Sequence, residues 1–190
     1  MESLYKLWEL RIPKWEKKYE ESLVRVFTEY GKGTTQYSED RGKVFGAGYE
    51  LFIVAFFIGL YANQTKPLTE DKSKVKTFGH EIRYWGNQTA KIGRTSYAQI
   101  REYMFAALVA RTDIDFIALD KGEITPQSVV GQLVNKMEQY ANFGFDYLQE
   151  KMEEQPDFFF QDGSFLQLFL DFLKPVGQVS DEDDDTPEDF

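Results

Sequence analysis

Residues 51–62, LFIVAFFIGLYA, form the longest stretch of the chain without a charged or strongly polar side chain. The stretch leaves no polar face at a helical period of about 3.6 residues or at a strand period of about 2, so other elements must cover it on all sides. The uncharged interval between Glu50 and Lys66 is 15 residues and ends in the polar Asn63-Gln64-Thr65. A bilayer crossing takes about 20 apolar residues. The stretch therefore predicts a buried core helix and no membrane span. Asn63, which tolerates a left-handed backbone, and Pro67 supply its stop. Gly59 inside it costs about 1 kcal/mol against alanine, tolerable where a second helix comes close.

At 190 residues the chain suits one domain with a single large core. It has no cysteine, which excludes disulfides, thiol catalysis and thiolate metal sites. The start, MESLYKLWEL, lacks a basic segment followed by an apolar one, and the expected location is cytoplasmic. The formal charge of −10 is concentrated at the end: residues 181–190 hold seven of the 32 acids and no base, leaving 25 acids against 22 bases elsewhere, a net of −3. Such a block cannot offset its ordering entropy by burial, so 177–190 reads as a disordered acidic tail on a helical domain spanning 1–176.

Outward from the core stretch, apolar periodicity predicts an all-α bundle of about six helices around 51–62. A first helix, Leu4 to Ile12 behind a Ser3 cap, stops at Pro13; a second runs from Lys14 to Tyr30 on the stripe Trp15, Tyr19, Leu23, Val26, Phe27 and Tyr30. Thr95 or Ser96 caps a helix from Tyr97 to Arg111. Asp113 caps a short one ending before Gly122. Thr125-Pro126 opens a long one with a candidate kink at 142–144. The last, behind Ser164, has apolar residues on two faces and is expected to be well buried.

The interval 64–95 has no sustained period, and loops this long inside a domain tend to be functional or disordered. From Lys66 to Arg101 there are eight basic and three acidic residues, interleaved with Phe78, Tyr84, Trp85 and Tyr97. Lysine and arginine can follow phosphates while aromatics stack on bases, and the same pairing suits a protein interface. The candidate binding residues are Lys72, Lys74, Lys76, His80, Arg83, Tyr84, Trp85, Lys91 and Arg94. Phe78, Ile82 and Trp85 are also the anchors that dock the second half of the loop.

Other chemistry is weakly signalled. His80 is the sole histidine and no second one completes a zinc-binding HExxH helix. Asp113, Asp115, Asp120 and Glu123 have oxygen ligands for magnesium, yet helix capping accounts for acids at such positions. No metal or cofactor is expected. The strings YELFIVAFFIGLYANQTKPL, KTFGHEIRYWGN and IREYMFAALVARTDIDFIALDKGEI resemble those of small bacterial helical proteins of unassigned activity that accompany DNA-modification or phage-defence genes. The resemblance implies an accessory role and brings no catalytic signature. The expectation is thus a non-enzymatic interaction subunit that binds a protein partner, or nucleic acid, through the 64–95 loop. The alternative is a hydrolase using His80 with Glu81 or with Asp113, Asp115 and Asp120.

Overall fold

The computed structural model describes residues 3–28, 44–86 and 97–173. Their elements, in chain order, are α1 (Leu4–Glu9), β1 (Lys14–Glu16), a π-helical turn (Glu20–Val24) running into α2 (Arg25–Phe27), α3 (Gly48–Ala62), β2 (Val75–Thr77), α4 (Ala98–Arg111), α5 (Phe116–Asp120), α6 (Pro126–Glu154) and α7 (Ser164–Leu173). Most of the described residues are helical, and the sheet has two strands. None of the helices among the described residues is long and apolar enough to cross a membrane. Lys91, Arg94, the expected caps Thr95 and Ser96, and the acidic tail lie outside the described residues.

The apolar stretch lies within α3, which begins three residues earlier than expected, at Gly48. Leu51, Ala55, Phe56 and Ile58 are fully buried. Asn63 ends the helix in the left-handed region, φ 51° and ψ 38°. The principal neighbour of α3 is α6, and the two helices meet backbone to backbone. A methyl group on Gly59 would stand 2.2 Å from the Tyr140 carbonyl oxygen, and one on Gly144 would stand 1.9 Å from that of Ala55. Each glycine thus opens the groove that the other helix fills. Around the crossing, Phe56 meets Tyr140 edge to face and Phe52 meets Phe145 likewise. Helix α6 starts as its cap sequence requires, with Thr125 Oγ1 accepting from the Ser128 N–H at 3.1 Å and Pro126 next. It runs without interruption through 142–144.

Three local expectations are overturned. The predicted helix from Lys14 to Tyr30 is, at its start, a strand: Lys14, Trp15 and Glu16 pair antiparallel with Thr77, Lys76 and Val75. Trp15 leaves the helical stripe because its ring stacks on Phe78 at 5.0 Å, a partner supplied by the distant loop. Helix α1 accordingly ends at Glu9, and residues 10–13 form the turn into β1. The cap of α5 is Asp115, whose carboxylate accepts from the Ala118 N–H at 2.8 Å, and not Asp113. Helix α7 is amphipathic instead of buried all round: Leu168 is inside, whereas Leu166 and Leu170 are 63% and 43% exposed.

Candidate functional site

After α3 the chain is led back over α6 by a set of directed bonds. The Lys66 N–H donates to the Gln139 carbonyl at 3.0 Å. The buried Asn142 amide donates to the carbonyls of Lys66 and Pro67, at 3.3 and 3.0 Å, and to Glu16 Oε1 at 3.2 Å. Glu16 also accepts from the Thr69 N–H at 2.7 Å. One helix side chain therefore ties the loop and β1 together, and its loss would strand several polar groups.

Beside this knot lies Asp146. Burial alone would raise its carboxyl, but hydrogen bonds from Lys66, Tyr19 and Lys18 hold it below the usual carboxylate range. Tyr19 donates to it at 2.6 Å, and its hydroxyl is pushed upward by burial first and then by that anion. Glu20 is lowered chiefly by its hydrogen bond from Lys76, with Arg25 adding to the effect against burial.

Two cavities flank β1 and share the wall formed by Lys14, Asn135 and Glu138. The larger, about 590 Å³, lies between the 67–77 segment and α6, with Thr69, Lys72, Lys76 and Thr77 on its loop side. The smaller, about 440 Å³, opens toward Leu10, Arg11 and Ile12. Glu138 is 9% exposed and accepts the Lys14 backbone N–H at 2.8 Å through Oε1. Burial raises its carboxyl, and the bond from Lys14 offsets this only in part.

The residues singled out from sequence divide among three settings. Lys72 and Lys76 line the larger cavity, with Lys76 also bound to Glu20, and Lys74 lies by Asp71 at 3.6 Å on the opposite side of the loop. Arg83 and Tyr84 form an exposed pair, the guanidinium 4.7 Å from the ring centroid, and Arg83 also reaches Glu81. Trp85, in contrast, is fully buried, stacked on Tyr49 at 5.6 Å. It is a core residue that no partner can touch without unfolding the turn, so its place among the binding residues is withdrawn while its anchoring role stands. His80 is exposed after Gly79, whose φ is 76°, and lines neither cavity. Asp113, Asp115 and Asp120 are exposed around α5. Among the described residues no cluster of three or more histidines, cysteines or carboxylates is placed to hold a metal ion.

Glu138 and Asn142 were missed because both read as the polar side of an amphipathic helix. Only their spacing of four, which puts them on one face of α6, hinted that something crosses there. No protein-family model matches the chain, and neither a curated protein nor a solved structure matches it.

Proposed function

We propose that this chain is a non-enzymatic accessory subunit that docks a protein partner through the 64–95 segment and the neighbouring ends of β1 and α1. In this reading residues 1–176 form one helical bundle around α3, residues 177–190 stand outside it, and the assembly is cytoplasmic. The observation that carries the reading is the turn at Ile82–Tyr84, where Ile82 and Trp85 are fully buried on either side of the exposed Arg83 and Tyr84. The buried pair holds the exposed pair in place. Arginine and tyrosine on a rigid support lose little conformational entropy on binding, and they are enriched among residues that dominate interface energies. The Ile82 N–H donates to the Arg11 carbonyl at 3.0 Å, so the turn adjoins Leu10 and Ile12, each 40% exposed.

A protein is favoured over nucleic acid because five of the six described basic residues between Lys66 and Arg101 already have a carboxylate partner within the molecule. Lys66 is bonded to Asp146, Lys74 to Asp71, Lys76 to Glu20, Arg83 to Glu81 and Arg101 to Glu9. A phosphate would have to displace those carboxylates. The resemblance to proteins beside DNA-modification or phage-defence genes fits an accessory subunit and supports the same proposal.

The test is purification of the full chain from its native host, identification of what accompanies it, and dissociation kinetics of that partner. Tyr84→Ala should speed dissociation by about tenfold or more, as for a central interface residue. Lys72→Ala with Lys74→Ala should leave it within about twofold. A nucleic-acid partner with a steep salt slope, reduced by the lysine pair, would replace the protein reading. A partner indifferent to both sets of changes would show that the loop is scaffold only.

A further inference from the structure

The cavity under the 67–77 segment has a feature that packing does not require. Glu138 accepts the Lys14 amide through Oε1 and lies on the wall of both cavities, and its Oε2, which has no hydrogen bond to a described residue, is open to the cavity and not sealed in the core. A glutamine would accept the same Lys14 N–H, so the bond itself does not require a charge. The loop side of the cavity carries Lys72, Thr69 and Lys76, the last already bonded to Glu20, and Asn135 shares the Glu138 wall. Its volume of about 590 Å³ lies within the range of small-molecule sites, about 300–1,000 Å³.

We infer that this cavity binds a small zwitterionic ligand, its primary ammonium on Glu138 Oε2 and its carboxylate toward Lys72. An ammonium there gains a charge-assisted hydrogen bond, while the exposed lysine end selects a negative group. The site is independent of the Arg83–Tyr84 surface, although the segment that roofs it leads directly into that turn.

The pH behaviour follows from the charges that face Glu138. These are Lys14 on β1, Arg11 in the turn before it, and Glu70, Lys72 and Lys76 on the loop. Ammonium binding needs Glu138 ionised, and its carboxyl is raised by burial. Binding therefore releases protons, and affinity falls as pH drops through the Glu138 transition.

The probes are 5-aminopentanoate, which carries both charges, n-pentylamine, which carries the cation alone, and pentanoate, which carries the anion alone. Titration of the full chain by calorimetry should give saturable binding of 5-aminopentanoate with a Kd of about 1 mM or tighter, as suits so few heavy atoms. Pentylamine should bind more weakly and pentanoate not measurably. Glu138→Gln should weaken 5-aminopentanoate at least about tenfold, and Lys72→Ala should weaken it while leaving pentylamine unchanged. Asp120→Asn, an exposed carboxyl on α5 that does not line the cavity, should change neither. Should Glu138→Gln fail to fold, the order of the three probes and the loss of affinity at low pH decide the matter on the unaltered chain. Absence of saturable binding, pentanoate binding as well as 5-aminopentanoate, or a folded Glu138→Gln that binds undiminished would each overturn the assignment.

Discussion

Replacing Gly144 by alanine tests the one contact on which the arrangement of α3 and α6 depends. The added methyl would stand 1.9 Å from the Ala55 carbonyl oxygen, where ordinary contact begins at 3.4 Å, so the helices must part by about 1.5 Å. For Gly59→Ala the corresponding shift is about 1.2 Å. The opposing atom is backbone, so no rotamer change relieves it, and the cost sits near the upper end of overpacking, about 3 kcal/mol. Alanine returns about 1 kcal/mol through helix propensity, leaving each variant about 2 kcal/mol less stable. Both methyls press on the same crossing. Once one has separated the helices the second finds room, and the double variant should lose about 3 kcal/mol, less than the sum. Urea unfolding followed by tryptophan fluorescence is suited to the measurement, because Trp8, Trp15 and Trp85 are at most 1% exposed. Gly131→Ala is the control on the same helix: nothing lies within 4 Å of its added methyl, so it should stabilise by up to about 1 kcal/mol. A Gly144→Ala protein as stable as the Gly131→Ala protein would refute the close crossing.

Arg101 is 7% exposed and joins Glu9, at 3.1 Å, to the Trp85 carbonyl, at 2.6 Å; Arg101→Ala leaves both acceptors unmatched and should cost about 3–5 kcal/mol in the same unfolding assay. Asn142→Ala should cost about 1–3 kcal/mol and speed amide exchange at Lys66 and Thr69, measured by hydrogen exchange with mass spectrometry, while α6 stays protected. Asp146 and Glu20 have carboxyls lowered by their partners, so the folded state binds their protons less readily than the unfolded one. Their contribution is complete above the ordinary carboxylate range and is lost as pH falls below about 4. Asp146→Asn should flatten that acid limb in a plot of melting temperature against pH.

How far the fold can be read from residues alone depends on the distance over which each element is decided. Helix α3, its Asn63 stop and the Thr125-Pro126 start of α6 follow from side chains within a few positions, and all three were legible. The glycine at 59 pointed to a close helix neighbour, and that neighbour is α6. Strand β1 was not legible. Trp15, Tyr19, Leu23 and Val26 do recur at helical spacing, and what pulls Trp15 out of that series is Phe78, far along the chain. The candidate surface was half legible for the same reason. Composition revealed a basic, aromatic loop, but whether a lysine is available depends on carboxylates such as Glu20 and Asp146, which folding brings from elsewhere. Trp85 read equally well as anchor or as contact, and burial decided it. Glu138 could be recognised only with the 67–77 segment lying over it.

The pairings of β1 and the π-helical turn also set an order on how this chain can fold. Lys14 is held by Glu138, 124 residues later, and Tyr19 by Asp146, 127 residues later, while the strand partner of β1 is supplied by Val75–Thr77. Contacts this remote close slowly, because the loop entropy is lost before the bonds form. During synthesis residues 14–20 leave the ribosome long before α6 does. Until Val75–Phe78 follow, β1 is an unpaired strand edge and Trp15 has no ring to stack on, and Tyr19 waits longer still, for Phe145 and Asp146 on α6. A translational pause before Asp146 would prolong that interval, and it is in this window, more than in the finished molecule, that the chain is open to aggregation and to chaperone capture.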